Sequence, residues 1–367
     1  MKFTRARSLQ AVAVAAVLAL TVGCSSQPEP AAEPTTSPPV EATASESASP
    51  ALEVPDPRSL TGPAQAASLG AIEPIESDPT VTLPTTVTDD QGTKVTVVSI
   101  DRIVTLDIYG TISQTLVGLG LADNIAGRTV SDTDAALENV PLVTGGAHSV
   151  NVEAVLEVQP TLVLLDTTLG PANVPVLLRD AGVDVVVLNP DRSTELIDEQ
   201  IRAIAEAAGV PETGAALIER TAGELDETLA YIDQLTADLD QPLRMAVLYV
   251  RGTAGIFFLF GGESAASGLI ADLGGEHVAA AVGMGETVPA NAESLVTIDP
   301  EVFLMMHDGL ESTGGIDGLT SRPGVAQTTA GINQRVITAP DAQLISFGPT
   351  YPAALKALAD AIYLDAE

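Results

Sequence analysis

The sequence predicts two Rossmann-like α/β lobes, each a parallel sheet covered by helices, joined by a single long helix. Three observations carry that prediction. From about residue 81 onward, short β-branched apolar runs alternate with helical patterns, as in parallel sheets buried on both faces. One long amphipathic stretch interrupts the alternation near its midpoint. Hydrophobic residues make up 46% of the 367-residue chain and charged residues 18%, apolar material enough for two cores and too much for a disordered chain.

The first 80 residues do not read as packed structure. Lys2, Arg5 and Arg7 form a positive n-region, residues 9–22 an apolar run too short for a comfortable membrane span, and Gly23-Cys24 ends it. Residues 1–23 therefore read as a secretory signal. The small residue before Cys24 resembles the end of a bacterial lipoprotein signal, in which the thiol is acylated and becomes the new N-terminus. Thr21 stands where leucine is usual, with Leu20 one place earlier. Cys24 is the single cysteine, so the chain can form neither an internal disulfide nor a cysteine-based zinc or iron–sulfur site. Residues 24–80, rich in Pro, Ala, Ser, Thr and Glu, are expected to be a flexible tether. That places the protein on the extracytoplasmic face of the cell membrane, held by lipid.

The first lobe is expected over residues 81–210. Two β-rich runs flank Asp89-Asp90-Gln91-Gly92 within residues 85–98, a turn composition that opens the fold with a hairpin. Buried strands follow at 103–107, 162–166 and 183–189, with helical patterns at 152–158 and 174–181. In residues 212–239, Leu217, Thr221, Leu225, Leu229, Ile232 and Leu235 recur at three- and four-residue spacing, with Pro211 before and Pro242 after. This is the linking helix, bounded as 211–241. A second lobe, 242–367, carries strands at 245–250, 302–306 and 336–338. A stiff helical link allows less hinge motion than paired strands would.

Acidic residues number 49 against 16 basic ones, a net charge of −33 that repels phosphate backbones and excludes nucleic-acid binding. The run Arg102-Ile-Val-Thr-Leu-Asp-Ile-Tyr109, then residues 118–128 and 151–166, resembles the first lobe of helical-backbone substrate-binding proteins. These serve ABC importers of iron chelates, heme and cobalamin. Thr144-Gly-Gly-Ala-His-Ser-Val-Asn151, Leu248-Tyr-Val-Arg-Gly-Thr-Ala254, Met305-Met-His-Asp-Gly-Leu-Glu-Ser312 and Ile345-Ser-Phe-Gly-Pro349 narrow the match: they resemble the hemin-binding lipoproteins of actinobacterial heme importers. The resemblance covers about residues 80–365. It implies a carrier that captures heme between its lobes and hands it to an ABC permease and its ATPase subunit, with upstream cell-surface heme-binding proteins as further partners and no catalysed reaction.

The residues offer suitable chemistry. Tyr249 and Arg251 are two apart at the end of an apolar strand, so their side chains leave one face of the sheet, at the end where a parallel sheet opens on its crevice. A phenolate is a fitting oxygen ligand for ferric heme iron. A free phenol ionises only near pH 10, and Arg251 is placed to stabilise the anion by a charge-assisted hydrogen bond. His148, in a glycine-rich loop of the first lobe, is the expected second axial ligand, on the opposite face of the macrocycle. The resemblance also implies that Met306 lines the heme pocket. His307 is left open between a surface residue, a contact to the heme edge and a rival ligand, and His277 is assigned no role. Related carriers dock to their permease through one glutamate per lobe. The first falls here at Gln114, a departure from the pattern, and Glu263 is the second-lobe counterpart.

Other readings compete. Siderophore or cobalamin binding shares the fold. A divalent metal-ion carrier would draw on His148, His277 and His307 with a carboxylate, but would then hold the cation beside Arg251. A hydrolase would need a triad of Ser264, Asp299 and His307.

Overall fold

The structure, a computed structural model, describes residues 54–145, 149–252 and 256–364. The signal sequence, Cys24, most of the tether and His148 lie outside the described residues. Among the described residues no helix is long and apolar enough to cross a membrane.

One boundary differs from expectation. The tether, placed at 24–80, gives way to packed chain already at Val54, which lies against the core. Strand β1 (Ala64–Gln65) pairs parallel with a strand of the second lobe, and Ala64 and Ala66 are buried while Gln65 between them is exposed. Two alanines on one face of an extended segment suffice to seat it on a sheet edge. A run so short carries no periodicity against its Pro- and Ser-rich surroundings.

The first lobe opens with the hairpin β2 (Thr85–Thr88) and β3 (Lys94–Val97). Gly92 closes its turn at φ +77°, a left-handed conformation that glycine adopts without strain, and its N–H donates to Asp89 O at 2.8 Å. Strands β4 (Ile103–Leu106), β5 (Ile125–Gly127), β8 (Leu162–Leu165) and β9 (Asp184–Val187) form a four-stranded parallel sheet in the order β5-β4-β8-β9, and all four residues of both β4 and β8 are buried. Between them, β6 (Thr144–Gly145) and β7 (Ser149–Val150) pair antiparallel on either side of residues 146–148.

The linking helix, Pro211–Thr236, starts with proline at its first position, where no N–H is needed. Leu217, Thr221, Ile232 and Leu235 face inward. Its N-terminal part lies against helix Ile197–Ala207, where Gly214 lets the two backbones approach: a Cβ there would stand 2.4 Å from that of Ala205. Toward its other end Tyr231 OH donates to Asp360 of the C-terminal helix Tyr351–Tyr363 at 2.7 Å. One apolar cluster runs from Ile103 and Leu116 through Leu217 to Leu269 and Tyr351, so both lobes share a core around the helix.

The second lobe holds a seven-stranded sheet from β1, β10 (Arg244–Arg251), β11 (Ile256–Leu259), β12 (Glu276–His277), β13 (Val288–Pro289), β14 (Val302–Met306) and β15 (Val336–Ala339). Along β1-β15-β14-β10 every pairing is parallel, whereas β11 and β13 extend the sheet antiparallel. β10 outruns its parallel partner β14, and its last residues pair with β11 instead.

Candidate functional site

The carboxyl ends of β4, β10, β14 and β15 converge on one cleft of about 880 Å³ between the lobes. The second lobe contributes Tyr249 and Arg251 from β10, Met306 and His307 from the end of β14, and Asp341 after β15. Strand periodicity sets the first pair: Val250 between them is buried, so the two neighbours face the cleft together. The Arg251 guanidinium lies 5.0 Å over the Tyr249 ring, and Phe260 stacks 6.4 Å from that ring at 21°. Such a cation over an aromatic face is an attractive contact.

The geometry corrects one expectation. Instead of bonding the phenol oxygen, Arg251 Nη2 forms an ion pair with Asp341 and donates to Met306 Sδ at 3.4 Å. Asp341 Oδ1 also accepts from Asp308 N–H at 3.2 Å, which holds the carboxylate in place. Gly309 is needed beneath Arg251, since a Cβ there would sit 3.0 Å from Nη1. Asp341 is thus part of the site, and sequence reasoning missed it; its one local signal is that it follows Pro340 at the start of the short helix Asp341–Leu344.

The first lobe contributes Ile108, Tyr109, Val130, Ser131 and Thr133. Arg192 lies 4.8 Å over the Tyr109 ring and bonds Asp166 Oδ2 at 2.5 Å, with Asp107 Oδ2 at 3.8 Å. Asp132 accepts from Ser113 Oγ at 2.6 Å and Thr105 Oγ1 at 3.0 Å. Burial pushes all three carboxyls upward, and for Asp107 the nearby Asp166 and Asp132 add to it. Burial likewise raises the Tyr109 phenol, against the pull of Arg192.

Other expected residues fall as follows. His307 lines the cleft, with its Nδ1 buried and unpartnered among the described residues. His277 is structural: Nδ1 lies 2.8 Å from Ser267 Oγ and Nε2 3.1 Å from Phe260 O. Gln114 is committed between the lobes, its Oε1 accepting from Ser346 Oγ at 3.0 Å and Thr350 Oγ1 at 2.7 Å, and so is no surface docking point. Glu263 is exposed. The triad does not assemble, because Asp299 is bound to Arg244 at 3.2 Å and to Thr329, and Ser264 Oγ donates to Gly261 O at 2.6 Å. Among the described residues no group of three or more His, Cys, Asp or Glu is placed to hold a metal ion.

Residues 103–343 match the periplasmic binding protein family. The chain belongs to that family. As a periplasmic binding protein it has the expected two-lobed fold, and it is similar to the crystal structure of the heme binding protein HmuT, 45% identical, with a TM-score of 0.82 over 85% of this chain and 100% of that one. Structures of that protein include alanine variants of a histidine, and of a tyrosine and an arginine two positions apart. The apo form of the periplasmic heme-binding protein RhuT from Roseiflexus sp. RS-1 is 32% identical, with a TM-score of 0.67 over 72% of this chain and 98% of that one. The uncharacterized ABC transporter substrate-binding lipoprotein YvrC of Bacillus subtilis (strain 168) is 31% identical over 112 residues, 30% of this chain and 35% of that relative. This periplasmic binding protein thus matches only about a third of the length of that lipoprotein.

Proposed function

We propose that this protein binds heme in the cleft between its lobes and delivers it to an ABC permease and its ATPase subunit, from the outer face of a membrane to which a lipid on Cys24 holds it. The observation that carries the reading is the Tyr249–Arg251 pair, stacked at 5.0 Å beside Met306 at the mouth of β10 and β14. A phenol oxygen facing a cleft of about 880 Å³, within the range of small-molecule sites, suits a large ligand carrying ferric iron. The two-position spacing of tyrosine and arginine in the similar heme binding protein supports the same pair here. Tyr249 is one axial ligand, and His148 from the first lobe is the other. Arg251 acts through charge rather than a bond to the phenol: it faces the ring, and its pairing with Asp341 fixes where that charge stands.

Hemin titration tests the reading. The expected result is a sharpened Soret band saturating at one heme per chain. A free-hemin spectrum, together with tight binding of a ferric siderophore, cobalamin or stoichiometric zinc or manganese, would overturn it in favour of a relative's ligand.

A further inference from the structure

The segment before the first lobe lies outside residues 103–343, the stretch that defines the family match, yet it reaches the cleft. Its start is fixed on the second lobe. Arg58 bonds Glu301 at 2.9 Å and the carbonyl oxygens of Gln241 and Pro242 at 3.1 and 3.0 Å. β1 then pairs with β15, and Ala66 N–H donates to Thr338 O at 2.7 Å. Six residues later the chain is fixed on the first lobe: Ile72 N–H donates to Asp134 Oδ2 at 3.2 Å and Ile75 N–H to Gly118 O at 2.8 Å. Glu76 is held by Thr213 of the linking helix at 2.7 Å. Residues 65–71, from the end of β1 onward, thus bridge the lobes as a strap. Gln65 and Ser68 line the cleft, are exposed, and bond no other described residue through their side chains.

The charges around the cleft give these two residues a task. Heme carries two carboxylate tails that need hydrogen-bond donors. Among the described lining residues the only arginine or lysine is Arg251, and Asp341 already holds it. Asp308 and Asp341 lie on the same side and repel a carboxylate. Uncharged donors are left, and the strap offers two that line the cleft, the carboxamide N–H of Gln65 and the hydroxyl of Ser68. A hydrogen bond to a carboxylate is stronger than one between neutral groups. We propose that the strap is an end wall of the ligand cleft, and that Gln65 and Ser68 hydrogen-bond the carboxylate tails of bound heme.

This rests on the heme reading, and the test separates the two. Hemin and its dimethyl ester, which lacks the carboxylate charges, are loaded onto wild type and onto Gln65→Leu/Ser68→Ala, and loss to excess apomyoglobin is timed. Both residues are exposed, so unchanged melting is expected. The double variant should lose hemin roughly three- to tenfold faster while its loss of the ester stays at the wild-type rate. Wild-type rates for both ligands, or equal acceleration of both, would overturn the strap's role alone. A wild type that leaves the hemin spectrum free would overturn the heme reading and this proposal with it.

Discussion

Tyr249 packs through its ring against Phe260 and the Arg251 guanidinium, so replacing it by phenylalanine should keep the packing and remove only the oxygen. Tyr249→Phe is therefore expected to lose an iron–phenolate mode in resonance Raman that His148→Ala retains. Arg251→Ala does more than delete a cation. It also leaves the Asp341 carboxylate on the cleft wall without its partner, a negative charge facing an anionic ligand. Hemin affinity should fall by roughly tenfold or more, on the order of 1.4 kcal/mol. Adding Asp341→Ala should restore part of it, and absence of any rescue in hemin titrations would show that the carboxylate is not the source of the loss. His277 makes a different pH prediction. The Phe260 carbonyl only accepts, so Nε2 carries a proton, and burial lowers the ring's pKa and favours its neutral form in the folded state. Its contribution to stability is present above the ordinary histidine value of about 6.5 and is lost as pH falls through the lower folded value. The raised carboxyls of Asp107, Asp132 and Asp166 work the other way, their contribution growing as pH falls. Melting temperatures of wild type and His277→Gln from pH 7 to 5 isolate the histidine: wild type should lose more than the variant.

At the scale of elements, the linking helix depends on Gly214. Alanine there adds helix propensity of about 1 kcal/mol, but its Cβ would fall 2.4 Å from that of Ala205, and two packed helices yield little. Overpacking costs about 1–3 kcal/mol, so Gly214→Ala should lower the urea midpoint while leaving hemin affinity unchanged. Elements with a strong period were legible in the sequence. Residues 302–306 form β14 as read, and the hairpin around Asp89-Asp90-Gln91-Gly92 is present. Helix 211–241 ends at Thr236, about a turn before the expected boundary: of the residues that follow, Ala237, Asp238 and Asp240 are exposed and Leu239 alone packs against the core. What stayed hidden were elements defined by a partner: β1 exists only because β15 offers it an edge, and β11 and β13 continue a sheet that alternation alone would read as wholly parallel. The candidate site divides the same way. Tyr249 and Arg251 were readable from local sequence and Met306 from the family resemblance, whereas Asp341 reaches Arg251 from 90 residues away. Gln114 fell at the first docking position of the family pattern, and nothing in its own helix announces Ser346 and Thr350 across the lobe boundary.

The whole molecule adds a term that no single contact shows. Two connections, the linking helix and the strap, tie the lobes around a shared core, and the chain they build carries a net charge of −33. Its expected ligand is itself an anion at neutral pH through its carboxylate tails. Long-range repulsion should therefore oppose encounter even though short-range contacts favour binding, and the two respond differently to salt. Screening acts over about 10 Å at 0.1 M ionic strength, so it weakens the approach barrier while leaving the half-buried Tyr249–Arg251–Asp341 contacts largely intact. Stopped-flow mixing with hemin should then give an association rate that rises several-fold between roughly 0.01 and 0.5 M sodium chloride, with a dissociation rate that changes little. The uncharged dimethyl ester should associate at a nearly constant rate over the same range. A hemin association rate that falls with added salt would mean that a local positive field around Arg251 outweighs the charge of the whole chain.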